Sequence, residues 1–510
     1  MLCRRARGAR RRAGGSMSRS VRNAVRRAFY LDSVALMRLS REIAALDGVL
    51  DAALMMATPA NKAILAEAGL LEAEAEGAGA NDLILAVCAE APDRADAALA
   101  AAHALLAPRA RPSETPRGHS ARSLRAALSA QPDANLALIS VPGDYAAGEA
   151  RKALSRGLNV MIFSDNVPLA EEVSLKRQAQ ALGRLVLGPD CGTAILGGAP
   201  LGFANSVPRG DIGLIGASGT GLQEVSVLIA AAGRGVSEAI GVGSRDLSLE
   251  VGGLATLAAI DLLDQDPATA RIVLISKPPH PEVVGNVLAR IGRSPKRFTL
   301  CFLGAGQLEL PGNATAVPTL RAAAEDALGS GSMGLPEAPP TLQRRAGHIL
   351  GLYSGGTLGA EAQLLLLAAG RTVASNAAVP GARALSSAPA GADQIIDLGA
   401  DEFTRGRPHP MIDPASRCER LGRALDERGV AAVLLDVVLG YGAHADPARE
   451  IAAVVGRAPA NRPHVVASVV GTEADPQVRS RQVAALLAAG VLVAQSNAGA
   501  AELALALAQG

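Results

Sequence analysis

Residues 211–233 read DIGLIGASGTGLQEVSVLIAAAG, and residues 348–370 read HILGLYSGGTLGAEAQLLLLAAG. Each begins with a short apolar run, turns at glycines, continues with helical spacing of apolar residues and stops at a glycine. A brief apolar run joined to a helical pattern is the building unit of a parallel sheet buried on both faces. In the first copy the strand reaches Ile215 and a helix begins near Ser218, with Leu222, Val225, Ile229 and Ala232 forming one apolar stripe. A shift of 137 residues that sets Thr220 on Thr357 also sets Glu224 on Glu361 and Gly233 on Gly370. Later runs keep step: EAIGVG with QIIDLG, RIVLIS with AVLLDVV, and FTLCFLG with VVASVVG. Residues 206–328 and 346–510 therefore read as two related βα domains of flavodoxin type.

The same alternation extends through LALISVP, NVMIFS and RLVLGP, which predict a Rossmann-like domain over residues 122–205. Before it, VRNAVRRAFY, VLDAALMMAT and NDLILAVCAE have strand character, and Thr58 followed by Pro59 reads as an N-cap and first helical residue. These define a small N-terminal α/β domain over residues 17–108. Stretches rich in Pro, Gly, Ser and Arg at 107–122 and 329–345 read as linkers. The expected fold class is α/β throughout, in tandem doubly wound domains.

Composition narrows the function classes. Of 510 residues, 49% are hydrophobic and 19% charged, enough apolar material for several cores. With no Trp, four Tyr and six Phe, the chain has almost nothing on which bases could stack, so nucleic acid is not an expected ligand. The net charge of +2 conceals an arginine-rich, acid-free start, MLCRRARGARRR, and residues 1–16 read as a disordered basic tail. No uncharged apolar run is long enough to span a bilayer, so no membrane association is expected. The five isolated cysteines form no CxxC pair, which points to a reducing cytoplasm and to no metal site.

Each glycine corner lies where a strand ends and a helix begins. Free N–H groups and a partial positive charge gather there, and glycine lets an anion reach the backbone. One corner alone fits either a phosphate cradle or a capped helix after a tight turn. Two equivalent corners suggest helix N-termini that face a single phosphate. The candidate phosphate-binding residues are Ser218, Gly219, Thr220 and Gly221 with Ser354, Gly355, Gly356 and Thr357.

The stretch GPDCGTAILGGAPLGFANSVPRGDIGLIGASGTG, followed by GVGSRDLSLEVGGLATLAAIDLLDQDP, resembles the α subunit of succinyl-CoA synthetase. Residues 346–510, with LYSGGTLGAE and VLLDVVLGYGAHADP, resemble the carboxyl domain of its β subunit. In that superfamily the paired corners bind the phosphate of a phosphohistidine. MMATPANKA, GSRDLSLEVGG, ISKPP, LYSGGTL, GRPHPMIDP and VGTEADPQ resemble the FdrA family more closely, over residues 17–510. That resemblance implies a subunit of an oxamate carbamoyltransferase in allantoin catabolism, working with two other subunits on oxalurate, a small ureido acid. Inorganic phosphate is the co-substrate, and the products are oxamate and carbamoyl phosphate.

Three departures from the synthetase shape the expectation. GAGQLELPGNATAVPTL contains no histidine where the synthetase carries its phosphorylated one. The CoA-holding loop is missing before ISVPGDY, which argues against CoA, and no nucleotide-grasping domain precedes the C-terminal repeat. Lys277, Arg407 and His409 are the candidate catalytic residues, with Arg245, Asp246 and Arg405 as substrate-binding residues. Arg407 would grip a carboxylate bidentately and His409 would shuttle a proton. An ADP-forming acyl-CoA synthetase and a non-catalytic organising subunit are the competing readings. His444, Asp446, Glu473 and Asp475 sit at strand ends with no metal-ligand spacing.

Overall fold

The apolar runs become strands, and the computed structural model describes residues 19–31, 33–106, 121, 123–329, 343–404 and 408–509. The basic tail, much of both linkers, Arg405 and Arg407 lie outside the described residues. The chain divides into two compact units, residues 1–120 with 404–408 and residues 121–403 with 409–510.

In the first unit, strands Ser20–Arg26 and Val49–Met56 flank Leu83–Ala89, both antiparallel to it. LILAVCA, the central strand, is buried at every position, as a strand covered on both faces must be. Helices Ser33–Ala44 and Pro92–Leu105 contribute Leu36, Ile43, Ala95 and Ala98 to the core beside Leu85 and Val87. The Thr58 hydroxyl accepts the Asn61 N–H at 3.2 Å, and Pro59 follows it at the start of helix Pro59–Glu67. An antiparallel sheet here departs from the doubly wound pattern expected of the rest.

Among the described residues the second unit contains three sheets besides the two-stranded pair of Arg345–Ala346 with Ala508–Gln509. Strands Leu136–Ile139, Asn159–Ile162 and Val186–Leu187 form a short parallel sheet with helices Gly143–Leu154 and Leu169–Ala181. The other two sheets have seven strands each. In one, Arg209–Gly216 lies between Arg271–Ser276 and Val236–Gly241, and Arg297–Phe302 and Ala314–Ala316 continue beyond Arg271–Ser276. In the other, His348–Tyr353 lies between Val430–Val438 and Asp393–Asp397, with His464–Val470 and Leu492–Ala494 beyond Val430–Val438. These five strands follow one order in both sheets, and helices Gly219–Ala231 and Gly356–Ala368 keep the 137-residue register from end to end. Gly233 and Gly370 close them at φ 76° and 79°, a left-handed conformation open to glycine.

The sheets differ at one margin. The first is extended by an antiparallel hairpin, Thr193–Leu196 with Ala199–Gly202, which the parallel pattern did not anticipate. The second is extended by Val373–Ser375 and Arg383–Ala384.

Helix Gly219–Ala231 was expected to bury one stripe, but every residue from Gly221 to Ile229 is buried. The reason is the doubling of the fold. Helices Gly219–Ala231 and Leu320–Leu328 of the first repeat pack with Gly356–Ala368 and Asn497–Leu507 of the second in one continuous core, where Leu222, Val225 and Ile229 join Leu358, Leu366 and Leu503. A helix covered by its own sheet and by its twin has no solvent face. Each fully buried leucine contributes about 1.5–3 kcal/mol.

Candidate functional site

Both corners form as strand-to-helix turns, and the shared helical layer brings them into contact. Ser218 is the N-cap of the first helix: its Oγ accepts the Gly221 N–H at 2.9 Å and donates to Thr357 Oγ1 at 2.6 Å. Such a cap is worth about 1 kcal/mol. Gly355 permits the approach, because a Cβ on it would stand 2.9 Å from Thr220 Cγ2 and Oγ1.

The second corner is capped differently. Strand Val430–Val438 carries Asp436 beneath it, fully buried. Its carboxylate accepts the Ser354 N–H at 2.8 Å, the Ser354 hydroxyl at 2.9 Å and the Gly355 N–H at 2.6 Å. Arg417, from helix Ala415–Asp426 and 2% exposed, donates through Nη1 to Ser354 Oγ at 2.9 Å and to Asp436 Oδ1 at 3.1 Å. A carboxylate already sits where an anion was expected, and Arg417 balances its charge. At the first corner the corresponding strand presents Ile275, whose carbonyl accepts the Ala217 N–H at 3.0 Å.

The expected phosphate set is corrected accordingly. The hydroxyls of Ser218, Ser354 and Thr357 are engaged with protein partners, as are the N–H groups of Gly221, Ser354 and Gly355. Still open are the first-turn amides of Gly219, Thr220 and Gly356, which have no acceptor within their own helices, and the Thr220 side chain. These three residues are partly exposed, above a buried polar floor. Lys277 is exposed at the rim, its Nζ 3.5 Å from where a Cβ on Gly356 would stand. Thr193 Oγ1, buried and without a hydrogen-bond partner, lies 3.2 Å from the same point on Gly219.

Asp397 completes the rim. It ends strand Asp393–Asp397, is 9% exposed, and accepts the Gly399 N–H through Oδ1 at 2.9 Å. Its Oδ2 stands 2.5 Å from the Cβ that Gly356 lacks. Burial raises its pKa above the ordinary carboxylate value, and neighbouring Lys277 acts in the opposite direction. His409 Nε2 approaches from the other side, 2.6 Å from a Cβ placed on Gly399, while its Nδ1 accepts the Met411 N–H at 3.2 Å. Burial pushes the His409 pKa down to about 4. At neutral pH the ring is therefore uncharged, with its proton on Nε2, and acts as a fixed N–H donor.

Arg245 and Asp246 belong to a different construction. Asp246 is fully buried and accepts from Lys176 Nζ at 2.7 Å and from the Thr256 N–H and hydroxyl at 2.8 and 2.7 Å, capping helix Leu254–Gln265. Arg245 donates to Glu172 Oε2 at 2.9 Å and to the Val167 carbonyl at 2.8 Å. Two cations and two carboxylates thus fasten the 122–205 segment to the first repeat, leaving Asp246 no capacity for substrate. Asp475 is similarly engaged, accepting from Asn205 Nδ2, Ser206 N and Thr472 N at 2.7–2.8 Å. Glu473 accepts from Ser480, and His444 Nδ1 from the Asp446 N–H. Cys191 is buried against the Gly241 carbonyl at 3.2 Å, its pKa pushed up to about 12, so it is no nucleophile.

Asp397, Asp436 and Arg417 were not among the expected site residues. The two acids did leave a signal: QIID and AVLLDVV each place a carboxylate in an apolar strand run, where it must find donors. Arg417, in SRCER, carried none.

Residues 17–122 match the family described as AllF, heavy metal-associated domain; residues 209–291 match CoA binding domain, and residues 352–507 match CoA-ligase. The CoA-binding match falls on the first repeat and not on the 122–205 segment. Among relatives, the uncharacterized protein YahF of Escherichia coli (strain K12) is 40% identical over 505 residues, covering 94% of this chain and 96% of that protein. The succinate–CoA ligase [ADP-forming] subunit alpha of Methanothermobacter thermautotrophicus is 27% identical over 150 residues, 28% of this chain and 49% of that subunit. A solved acetyl-coenzyme A synthetase 1 of Ca. Korarchaeum cryptofilum covers 73% of this chain and 82% of its own at 17% identity, with a TM-score of 0.31. The first family's name implies a metal, and the residues do not fit one. Residues 17–122 contain a single cysteine, Cys88, buried with its sulfur accepting from Arg19 Nε at 2.9 Å. Among the described residues no three His, Cys, Asp or Glu side chains gather to hold an ion. With its AllF-type N-terminal domain joined to CoA-binding and CoA-ligase domains of the succinyl-CoA synthetase type, the chain belongs to the family of YahF.

Proposed function

We propose that this protein is the phosphate-holding subunit of a carbamoyltransferase of the oxamate type, in which inorganic phosphate attacks the ureido carbonyl of oxalurate. The observation that supports it is a pair of helix N-termini in contact, rimmed by Lys277, in a chain with no histidine in the segment where the synthetase is phosphorylated. An anion held by helix amides and a lysine is a nucleophile in place, and positioning with charge stabilisation supplies much of such a rate. No covalent enzyme intermediate is needed.

The test is formation of carbamoyl phosphate from oxalurate and phosphate by the chain together with its partner subunits. Lys277→Ala is expected to lower kcat/KM by at least about tenfold, the effect of losing one charge-assisted contact. The matches to CoA-binding and CoA-ligase domains favour a second reading, an acyl-CoA synthetase. Acid-, CoA- and nucleotide-dependent thioester formation, with no product from oxalurate, would establish that reading and remove the first.

A further inference from the structure

Resting on the phosphate reading of this site, we infer that Asp397 is its proton-exchanging group: the carboxylate shares the mouth of the second helix with the bound oxyanion and carries a proton from the nucleophile to the leaving nitrogen. The geometry separates its two oxygens. Oδ1 is held by the Gly399 N–H at 2.9 Å. Oδ2 stands at the empty side-chain position of Gly356, 2.5 Å from it, where Lys277 Nζ is 3.5 Å away. A carboxylate this buried ordinarily spends both oxygens on donors, as Asp436 and Asp246 do here. Asp397 Oδ2 instead stands beside Gly356, which is partly exposed.

The surroundings favour a group that titrates during turnover. Burial disfavours its charge, as do Asp436 and Glu402, whereas Lys277 and the Gly399 N–H favour it. His409, neutral with its Nε2 beside Gly399, supplies a fixed donor nearby, and Arg417 is committed to Asp436. A bound phosphate adds negative charge at the mouth and further favours the protonated carboxyl.

The step balances without any further reactant. An oxygen of hydrogen phosphate bonds to the ureido carbonyl carbon. The bond from that carbon to the oxamate nitrogen then breaks, with its electron pair remaining on nitrogen, and protonated Asp397 gives its proton to that nitrogen. The hydrogen of the attacking phosphate passes to Asp397 Oδ2 and restores it, giving oxamate and carbamoyl phosphate with no change of oxidation state. Ordinary carboxyl chemistry suits both halves, because one group donates and then accepts.

The test uses the full-length chain and inorganic phosphate as the probe. Calorimetric titration is run across about pH 5 to 8 on the wild type and on Asp397→Asn. Ionisation of phosphate itself is common to both proteins. The wild type is expected to lose an additional tenfold or so in affinity as Asp397 ionises, and the variant to lack that step. Superimposable profiles overturn the inference, as does failure of the wild type to bind phosphate, which removes the phosphate reading as well. Gly356→Ala places a methyl against Oδ2 and is expected to abolish phosphate binding in a protein that still unfolds cooperatively; retained binding also overturns the inference. With the partner subunits present, Asp397→Asn is expected to lower kcat for carbamoyl phosphate formation about 100-fold while phosphate affinity is retained. Unchanged kcat overturns the proton-transfer role. If the wild type forms no carbamoyl phosphate but the two pH profiles differ as described, Asp397 faces the anion and the carbamoyl reading alone falls.

Discussion

Asp436 decides how the second corner works. Its carboxylate fills the anion position at Ser354 and Gly355 that a symmetric clamp would have left for a ligand, so the two corners divide the work. One is capped by its own Ser218 and the other carries a permanent internal anion with Arg417 as counter-ion. Asp436→Ala would leave Arg417 charged, buried and alone, and would orphan two N–H groups. Removing one partner of a buried pair costs about 3–5 kcal/mol, so the variant is expected to unfold at markedly lower denaturant. An unchanged midpoint would show that Arg417 finds other acceptors. The two strand-to-helix corners were readable from sequence, because an apolar run, glycines and a helical pattern follow one another in each. Which hydroxyls stay free was not readable. That depends on whether Ser218 meets Thr357 or a ligand, a choice made by the approach of a helix 137 residues away.

At the scale of elements, the two repeats cap each other. Glu361, on the second repeat's first helix, accepts the Leu320 N–H at 2.6 Å at the start of the first repeat's last helix. Glu224, its counterpart in the first repeat, accepts the Asn497 N–H at 2.8 Å at the start of the second repeat's last helix. The Glu224–Glu361 match was visible in the 137-residue register, but its purpose was not, since capping across repeats is a tertiary contact. Burial pushes the Glu224 pKa up to about 8 from an ordinary value of 4.5, and raises that of Glu361 as well. Between those limits the folded chain holds a proton that the unfolded chain has released. Stability from this source is therefore full below the unfolded pKa and declines as pH rises toward the folded one, by up to about 1.4 kcal/mol per unit for one proton. Glu224→Gln keeps an acceptor for the Asn497 N–H and removes the titration. Its melting temperature is expected to fall less than that of the wild type between about pH 5 and 8. Parallel pH profiles would place the linkage elsewhere.

For the whole molecule, strand order and helix register came through in the sequence because buried parallel strands and glycine-stopped helices leave long, redundant patterns. The antiparallel hairpin of residues 193–202 did not, being four-residue strands around Gly197 and Gly198 with no room for periodicity. Nor did the complete burial of the paired helices, which follows from the repeats facing each other. That facing layer makes a prediction about assembly. Helices Gly219–Ala231 and Gly356–Ala368 bury residues all round only because the other repeat covers them. Separated, each repeat exposes a contiguous apolar face and loses the carboxylate that caps its last helix. The chain severed between Gly329 and Gln343, with both parts produced together, is accordingly expected to reassemble and co-elute as one complex of full-length size. Each part produced alone is expected to aggregate or to melt without cooperativity. Glu224→Ala combined with Glu361→Ala should weaken the reassembled complex more than either single change, since each removes a cap that the other repeat depends on. Two parts that elute separately and each unfold with a sharp transition would mean that the repeats are self-sufficient domains, and the contact between the glycine corners would then be too weak to build a shared site.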